Sequence, residues 1–265
     1  MKTLLTGAGG GIGRRLAGRL RGTHDLLAVD RDGEALDRLP DGIETRRIDL
    51  TDGKAVRETL SGVEVGTVVS AVGWYGIAAL EDCSPGSFRD HLGANLEAVH
   101  TPVHTVLPTV RANAGRIVVV GSMVGSVPLP YHGAYSASKA GLAGYVDALR
   151  RELTPRGVDV SLVEPGPVRT GFNERAADAA AGRPDSAYAA AYDRFESYSP
   201  AAVDVGSVVG TIVDAVEADR PRARYRVGRR ARWLPRLQSV LPTRLFDRLV
   251  RSGLPGGLLS RLIDR

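Results

Sequence analysis

The sequence predicts a three-layer α/β domain in which helices cover both faces of one parallel sheet. Seven short apolar runs alternate with longer segments of helical periodicity, and a glycine-rich turn follows the first run. Continuous apolar runs are typical of strands buried on both faces, and their alternation with helices favours a parallel sheet. A length of 265 residues fits one such domain. The predicted class is therefore a single-domain αβα fold with a Rossmann-like, doubly wound sheet.

The apolar runs and the helical segments give the elements in order. Strands are predicted at residues 3–6, 26–30, 43–48, 67–71, 117–121, 158–163 and 224–227. Helices are predicted at residues 12–21, 52–60, 87–110, 134–153 and 203–216. The alanine-rich stretch 172–200 is interpreted as a mobile helical insertion that covers the substrate. Residues 1–228 would then form the catalytic domain, and residues 229–265 a C-terminal extension.

Composition excludes several classes of protein. Hydrophobic residues make up 43% and charged residues 25%, as in ordinary folded proteins. The single cysteine, Cys83, permits no intrachain disulfide and too few thiolates for a zinc cluster, so no metal is expected. Glycine and proline interrupt the uncharged stretch 117–138, and the first residues leave no room for a signal peptide before the glycine turn. A cytoplasmic protein without a membrane span is expected.

The formal charge of +5 is unevenly distributed along the chain. Residues 219–265 carry thirteen arginines against three aspartates, a net charge of +10, so residues 1–218 sum to −5. Leucines recur among the arginines of the extension, which indicates a basic amphipathic segment. Docking of its apolar face on the body or on a partner subunit is favoured, because prolines interrupt it; peripheral contact with an anionic membrane is the alternative. No nucleic-acid partner is expected, since no reading module or interleaved aromatic pattern is present.

The glycine-rich turn after the first strand is typical of a dinucleotide site. Glycines permit a tight turn and the close approach of a pyrophosphate, and the following helix N-terminus supplies positive partial charge. Gly10 and Gly11 each fit the middle position of a three-glycine pattern, so two spacings are open. The turn residues assigned to the cofactor are Gly7, Gly10, Gly11, Ile12 and Gly13.

Asp30 ends the second predicted strand, seventeen residues after Gly13. A carboxylate at this place hydrogen-bonds the hydroxyls of an adenosine ribose and repels a 2′-phosphate, so NAD is expected in preference to NADP. Arg31 could instead pair with a phosphate, and helix capping is the alternative interpretation of Asp30. Asp49, followed by Leu50, lies past the third strand and either reaches the adenine or caps the next helix.

Tyr135 and Lys139 lie four residues apart in a helical segment, so both project from one face. A phenol has a pKa of about 10, but a nearby ammonium lowers that pKa and makes proton exchange with an alcohol or carbonyl feasible. Ser122 ends the fifth predicted strand, thirteen residues before Tyr135. Its hydroxyl could donate to a substrate oxygen as charge develops there.

These motifs, in this order, resemble those of the compact short-chain dehydrogenases/reductases. The resemblance implies a nicotinamide-dependent oxidoreductase in which Tyr135 is the general acid/base and Ser122 holds the reacting oxygen. Lys139 would bind the nicotinamide ribose and lower the tyrosine pKa. Asn95 would complete a proton relay through water. The loop after the sixth strand would contact the nicotinamide, through Pro165, Gly166, Val168 and Thr170.

The chain departs from the family pattern after the fourth strand. Ser70-Ala71-Val72-Gly73 replaces the usual Asn-Asn-Ala-Gly, and only Gly73, which is assigned to the cofactor site, is retained. Hydride transfer between the cofactor and a secondary alcohol or ketone is the favoured function. The alternative is a catalytically weak NAD-sensing or scaffolding protein of the same fold.

The substrate side is expected to be apolar and aromatic. The residues assigned to it are Trp74, Tyr75, Leu129, Tyr131 and His132. Such walls favour a hydrophobic alcohol or ketone, such as a polyketide, steroid or lipid fragment. His132 is interpreted as a solvent-exposed loop residue, with a polar contact to the substrate as the alternative. A homodimer or homotetramer is expected.

Overall fold

A single parallel sheet of seven strands organises the protein. The computed structural model describes residues 1–170, 185–196 and 202–253. The strands are β1 (Lys2–Thr6), β2 (Asp25–Asp30), β3 (Glu44–Arg47), β4 (Val65–Ser70), β5 (Arg116–Val120), β6 (Asp159–Pro165) and β7 (Arg224–Val227). Their order in the sheet is β3-β2-β1-β4-β5-β6-β7. The predicted Rossmann-like αβα fold is confirmed.

Ten α-helices are described, and they cover both faces of the sheet. They are α1 (Gly11–Leu20), α2 (Gly33–Asp37), α3 (Gly53–Leu60), α4 (Pro85–Leu92), α5 (Ala98–Ala112), α6 (Gly133–Leu153), α7 (Ala189–Glu196), α8 (Val205–Glu217), α9 (Arg229–Val240) and α10 (Thr243–Ser252). Helices α3, α5 and α6 pack on one face and α1 and α8 on the other. Each face of the sheet carries its own hydrophobic core. Ile117 and Val119 of β5 lie in the core beneath α3, α5 and α6, and Val118 lies in the core beneath α1 and α8, because successive side chains of a strand point to opposite faces.

The helix predicted at residues 87–110 is confirmed as helical, but it is not a regular α-helix throughout. Helices α4 and α5 are joined by a π-helical turn, Gly93–Glu97. Inside this turn the Asn95 side chain donates to the carbonyl oxygen of His91 at 3.0 Å. Insertion of a side chain into the helical hydrogen-bond ladder is a known cause of such irregularities.

The C-terminal extension forms two helices that lie on the body of the domain. Ala231 of α9 and Phe246 of α10 are buried, whereas Trp233, Val240 and Leu245 are exposed. In the described part of the chain, none of the helices combines the length and the apolar character that crossing a bilayer requires. Of the predicted covering segment 172–200, only residues 185–196 lie among the described residues, and they include α7.

Candidate active site

A cavity of about 410 Å³ opens at the carboxyl edge of the sheet. Strand ends on both sides of the switch point between β1 and β4 meet there, which is where ligands bind in open parallel sheets. We call the lining from the strand ends and α6 the floor: Gly10, Gly11, Ile12, Ala71, Val72, Gly73, Ser122, Tyr135, Lys139, Pro165, Gly166, Val168 and Thr170. We call the lining from the helices above it the roof: Phe195, Arg230, Leu234, Leu237, Leu249, Val250 and Gly253.

The glycine turn brings an uncapped helix N-terminus to the cavity. Gly7 has a φ of +75°, and a side chain at Gly13 would overlap the carbonyl oxygen of Gly7. Helix α1 begins at Gly11 with no side-chain cap and no acidic residue in its first turn. Its first N–H groups therefore lack partners within the helix, an arrangement that fits a pyrophosphate.

The structure distinguishes the two glycine spacings by steric demand. A Cβ on Gly11 would lie 2.6 Å from the Cβ of Thr170, so the turn and the loop after β6 meet only because Gly11 has no side chain. A Cβ on Gly10 would meet only the carbonyl oxygen of Gly7, at an ordinary 3.4 Å. Close packing therefore requires glycine at 7, 11 and 13.

Asp30 lies beside the glycine turn, outside the cavity lining. Its Oδ2 accepts from the Gly9 N–H at 2.8 Å, and its Oδ1 accepts from the Asp32 N–H at 3.0 Å. The helix cap is Asp32, whose side chain accepts from the Ala35 N–H at the start of α2. Asp30 is therefore available at the end of β2 for a role other than capping.

Asp49 and Leu50 do not line the cavity. Thr51 donates to Asp49 Oδ1 from its backbone at 2.9 Å and from its hydroxyl at 2.7 Å, which lowers the pKa of the carboxyl. Leu50 is buried in the core. The cap of α3 is Asp52, so the suggestion that Asp49 caps this helix is wrong.

Asn95 fixes the loop that follows β4. It is completely buried, its Oδ1 accepts from the Trp74 N–H at 3.0 Å, and its Nδ2 donates to the Trp74 carbonyl oxygen at 2.7 Å. A Cβ on Gly73 would lie 3.1 Å from Asn95 Oδ1 and 3.3 Å from Lys139 Nζ. The backbone at Gly73 thus passes close to both predicted catalytic side chains.

Lys139 is buried beneath the cavity, with 3% of its surface exposed. Its Nζ donates to the carbonyl oxygen of Val120 at 3.3 Å and lies 5.9 Å from the centre of the Tyr135 ring. Burial lowers the pKa of Lys139 to about 8, because the ammonium loses hydration. The lysine remains mostly protonated at neutral pH.

Tyr135 is also buried and stacks on Tyr75, with ring centres 4.7 Å apart. Burial raises the pKa of Tyr135 to about 12, and a hydrogen bond with the Ser122 side chain acts in the opposite direction. The net pKa of Tyr135 is therefore raised in the protein alone, whereas the sequence analysis expected a lowered value. Desolvation of the phenolate outweighs any effect of an ammonium that bonds to a main-chain carbonyl instead.

Two of the residues assigned to the substrate side do not line the cavity. Tyr75 and Leu129 do line it. Trp74 is instead 37% exposed and packs on His91, with ring centres 4.5 Å apart. Tyr131 lies behind the wall, in edge-on contact with aromatic residues near α7.

His132 lines the cavity and is only partly accessible. Its ring stacks on Tyr75 at 5.7 Å, and its Nδ1 lies 2.9 Å from the carbonyl oxygen of Pro130. Burial lowers the pKa of His132. The interpretation of His132 as a solvent-exposed loop residue is therefore wrong, because α7 and the loop after β4 pack around it.

Sequence reasoning placed Phe195 in a covering segment but missed the part of the roof that α9 and α10 supply. Leu234 and Ala231 of α9 join an apolar cluster with Tyr75 and Tyr135, and Leu249 of α10 also lines the cavity. The recurring leucines did predict an apolar face in this segment. Which surface that face covers depends on the tertiary path of the chain after β7.

Comparisons with known proteins agree with this arrangement. The profile of the short chain dehydrogenase family matches residues 2–181. A probable short-chain type dehydrogenase/reductase of Helicobacter pylori is 29% identical over 260 residues, which cover 94% of this chain and 96% of that protein. Human 17-beta-hydroxysteroid dehydrogenase type 1 is 30% identical over 248 residues, which cover 84% of this chain and 76% of that protein.

A solved structure supports the same conclusion at the level of the fold. A short chain dehydrogenase from Burkholderia cenocepacia, in complex with NADP, superposes with a TM-score of 0.78 at 22% identity and covers 94% of this chain and 99% of its own. The matched profile spans the glycine turn, Asn95, Ser122, Tyr135 and Lys139. The chain therefore belongs to the short-chain dehydrogenase/reductase family and is an oxidoreductase.

Proposed function

We propose that the protein transfers hydride reversibly between NAD(H) and a hydrophobic secondary alcohol or ketone, with Tyr135 as the general acid/base. The observation that carries this proposal is the shared position of Ser122, Tyr135 and Lys139 on one cavity, next to the uncapped N-terminus of α1. The bound nicotinamide would supply or accept the hydride. The protein side chains would bind, orient and exchange the proton.

The proton step follows from the environment of the tyrosine. A pKa of about 12 keeps Tyr135 protonated at neutral pH, so its hydroxyl is ready to donate to a carbonyl oxygen. Ser122, already hydrogen-bonded to this tyrosine, would donate to the same substrate oxygen. The ammonium of Lys139, 5.9 Å from the ring, would stabilise the phenolate that results. Alcohol oxidation would run through the same groups in reverse.

The cofactor would lie along the floor. Gly10, Gly11 and Ile12 would hold the pyrophosphate at the start of α1, and the loop from Pro165 to Thr170 would hold the nicotinamide. Asp30, hydrogen-bonded to the Gly9 N–H, supports NAD over NADP because its carboxylate would repel a 2′-phosphate.

The substrate would be a hydrophobic alcohol or ketone of steroid or lipid type. Tyr75, Ile77, Met123 and Leu129 form an apolar wall next to Tyr135, and Leu234 covers it. The resemblance to a human hydroxysteroid dehydrogenase supports the same substrate class. Apolar walls with few polar groups favour ligands of this kind.

The test compares Tyr135→Phe with wild type, using NADH and a panel of hydrophobic ketones. Removal of the proton donor should lower kcat by about 1000-fold, within the range of general acid catalysis, while NADH affinity stays within about twofold. Tyr131→Phe is the matched control, because Tyr131 lies in the same aromatic cluster but does not line the cavity. An unchanged rate in Tyr135→Phe would remove the mechanism, and tight NAD binding without any turnover would favour the sensing or scaffolding alternative.

A further inference from the structure

Helix α9 presents a positively charged residue to the cavity. Arg230, Leu234 and Leu237 line the cavity, and their spacing of four and three residues places them on one face of the helix. Among the described residues that line the cavity, Lys139 is the other cationic residue, and none is acidic. The cavity wall is therefore apolar and carries positive charge at two separate places.

The two positive charges serve different parts of the cavity. Lys139 belongs to the floor, where its Nζ bonds to the end of β5. Arg230 belongs to the roof, and its neighbours Ala231 and Leu234 pack in the cluster that contains Tyr75 and Tyr135. A group held by Arg230 would thus contact the roof, next to the apolar cluster that includes Tyr75 and Tyr135.

The surface around the roof has the same sign of charge. Arg229, Arg232 and Arg236 of α9 are exposed, as are Arg244, Arg248 and Arg251 of α10. Asp247 is the acidic residue of these two helices. Clustered like charges raise the local concentration of ligands of opposite charge and speed their association. The two helices that supply most of the described roof therefore carry a net positive charge, which attracts anions.

We propose that Arg230 binds, from the roof of the cavity, an anionic group of the apolar substrate: a carboxylate or a sulfate or phosphate ester. A guanidinium matches the planar oxygens of such groups and forms charge-assisted hydrogen bonds with them. This inference rests on the proposed function, because it assigns the substrate class of the same site. The substrate is then an amphipathic ketone or alcohol with one negative end.

The experiment measures binding, so that it does not depend on turnover. Laurate and its neutral amide, lauramide, are titrated by calorimetry into the full chain saturated with NADH. Wild type should bind laurate about 10- to 100-fold more tightly than lauramide, as expected for one charged hydrogen-bonding pair. Arg230→Gln should abolish this preference, and Arg230→Lys should restore part of it. The affinity for lauramide should change by less than about twofold in both variants, because the apolar wall is intact.

The matched control is Arg229→Gln, which removes the same charge from the exposed neighbour of Arg230. The preference for laurate should survive in this variant. Equal loss in both variants would assign the effect to the general field of the arginines and would overturn the proposal. Failure of wild type to bind laurate, or a preference that survives in Arg230→Gln, would also overturn it.

The start of α9 lies close to the cofactor loop, since the Gly166 N–H donates to the carbonyl oxygen of Val227 at 3.0 Å. NADH affinity is therefore measured in every variant. A tenfold loss of NADH affinity in Arg230→Gln with an unchanged preference for laurate would assign Arg230 to the cofactor pyrophosphate instead. Turnover of neutral ketones is measured separately. If no ketone were reduced but the preference for laurate remained, the proposed oxidoreductase activity would be contradicted and the anion site would stand.

Discussion

The floor and the roof of the cavity are built in different ways. The floor consists of strand ends and buried polar groups: Lys139 is bonded to the main chain of β5, and the fully buried Asn95 lies against Gly73 of the floor. The roof consists of amphipathic helices, and in α9 and α10 only Ala231 and Phe246 are buried. Pairing of the strands positions the side chains proposed to act in catalysis, whereas packing of helix side chains encloses the proposed substrate site. Changes in the floor should therefore act on kcat and changes in the roof on KM.

Among the substitutions that compare the floor with the roof, we expect the largest change in kcat from one in the floor. Ser122→Ala should lower kcat by about 100-fold or more, because a hydrogen bond to the developing oxyanion is lost, and KM should change little. Steady-state kinetics with the best ketone of the panel check this. Ser136→Ala is the control: the Ser136 hydroxyl is buried without a hydrogen-bond partner among the described residues, so its removal should leave both constants unchanged. A rise in KM alone for Ser122→Ala would contradict the assigned role.

Lys139→Met should separate catalysis from stability within the floor. Burial lowers the pKa of Lys139 from its ordinary 10.5 to about 8, so the folded state carries a penalty of up to about 3 kcal/mol at pH 7, where the lysine is protonated both folded and unfolded. Methionine removes that penalty, so the free energy of unfolding should rise at pH 7 while activity is lost.

The stability difference should depend on pH in a defined direction. As the pH rises from about 8 to 10.5, the folded wild type releases its proton before the unfolded chain does, and its stability therefore rises. The advantage of Lys139→Met should shrink over that range, which urea unfolding at pH 7 and pH 10 would measure. Lys54→Met, a change at an exposed lysine, should show no such trend. If Lys139→Met proved less stable than wild type at pH 7, the desolvation argument would be refuted.

The sequence predicted most of the floor because parallel-sheet topology turns order along the chain into proximity in space. Ser122 follows β5, Pro165 ends β6 and the glycine turn follows β1, so all three reach the same edge. The pKa of Tyr135 was not predictable from its spacing to Lys139. Helical spacing gives the direction of two side chains, but burial, which decides the sign of the shift, comes from surrounding elements.

The contribution of α9 and α10 to the roof, and the surroundings of His132 and Trp74, could not be predicted for the same reason. Periodicity showed that the segment after β7 has an apolar face, but the partner of that face is set by long-range packing. His132, interpreted from the sequence as solvent-exposed, packs against Phe195. Trp74, which was expected to line the cavity, instead lies on His91 outside it. Loop residues have no periodicity from which burial can be deduced.

Cofactor choice should respond more moderately to a change at Asp30, which lies beside the floor at the glycine turn. Asp30→Asn keeps one of the two oxygens that accept from backbone N–H groups and removes the negative charge, so the affinity for NADP relative to NAD should rise about tenfold. Fluorescence titration with the two cofactors measures the ratio. Asp32→Asn, which retains the cap of α2, should leave it unchanged. A strong preference of wild type for NADP would show that Asp30 does not face the ribose.

The smallest effect is expected in the roof. Leu234→Ala should raise KM for hydrophobic ketones about fivefold, through loss of apolar contact with the substrate, and should leave kcat within about twofold. Trp233→Ala, a larger truncation on the exposed side of the same helix, is the control and should change neither constant. A fall in kcat for Leu234→Ala without any change in KM would contradict the expectation that the roof acts on KM and the floor on kcat.

Helices α9 and α10 follow the edge strand β7, so they are synthesised after all the strands of the sheet. The strands that carry Ser122 and the glycine turn leave the ribosome first, and domains begin to fold from the N-terminus. Ala231 and Leu234 are the last described members of the apolar cluster around Tyr135 to be synthesised. A nascent chain that lacks α9 would therefore have an incomplete cluster around its proton donor.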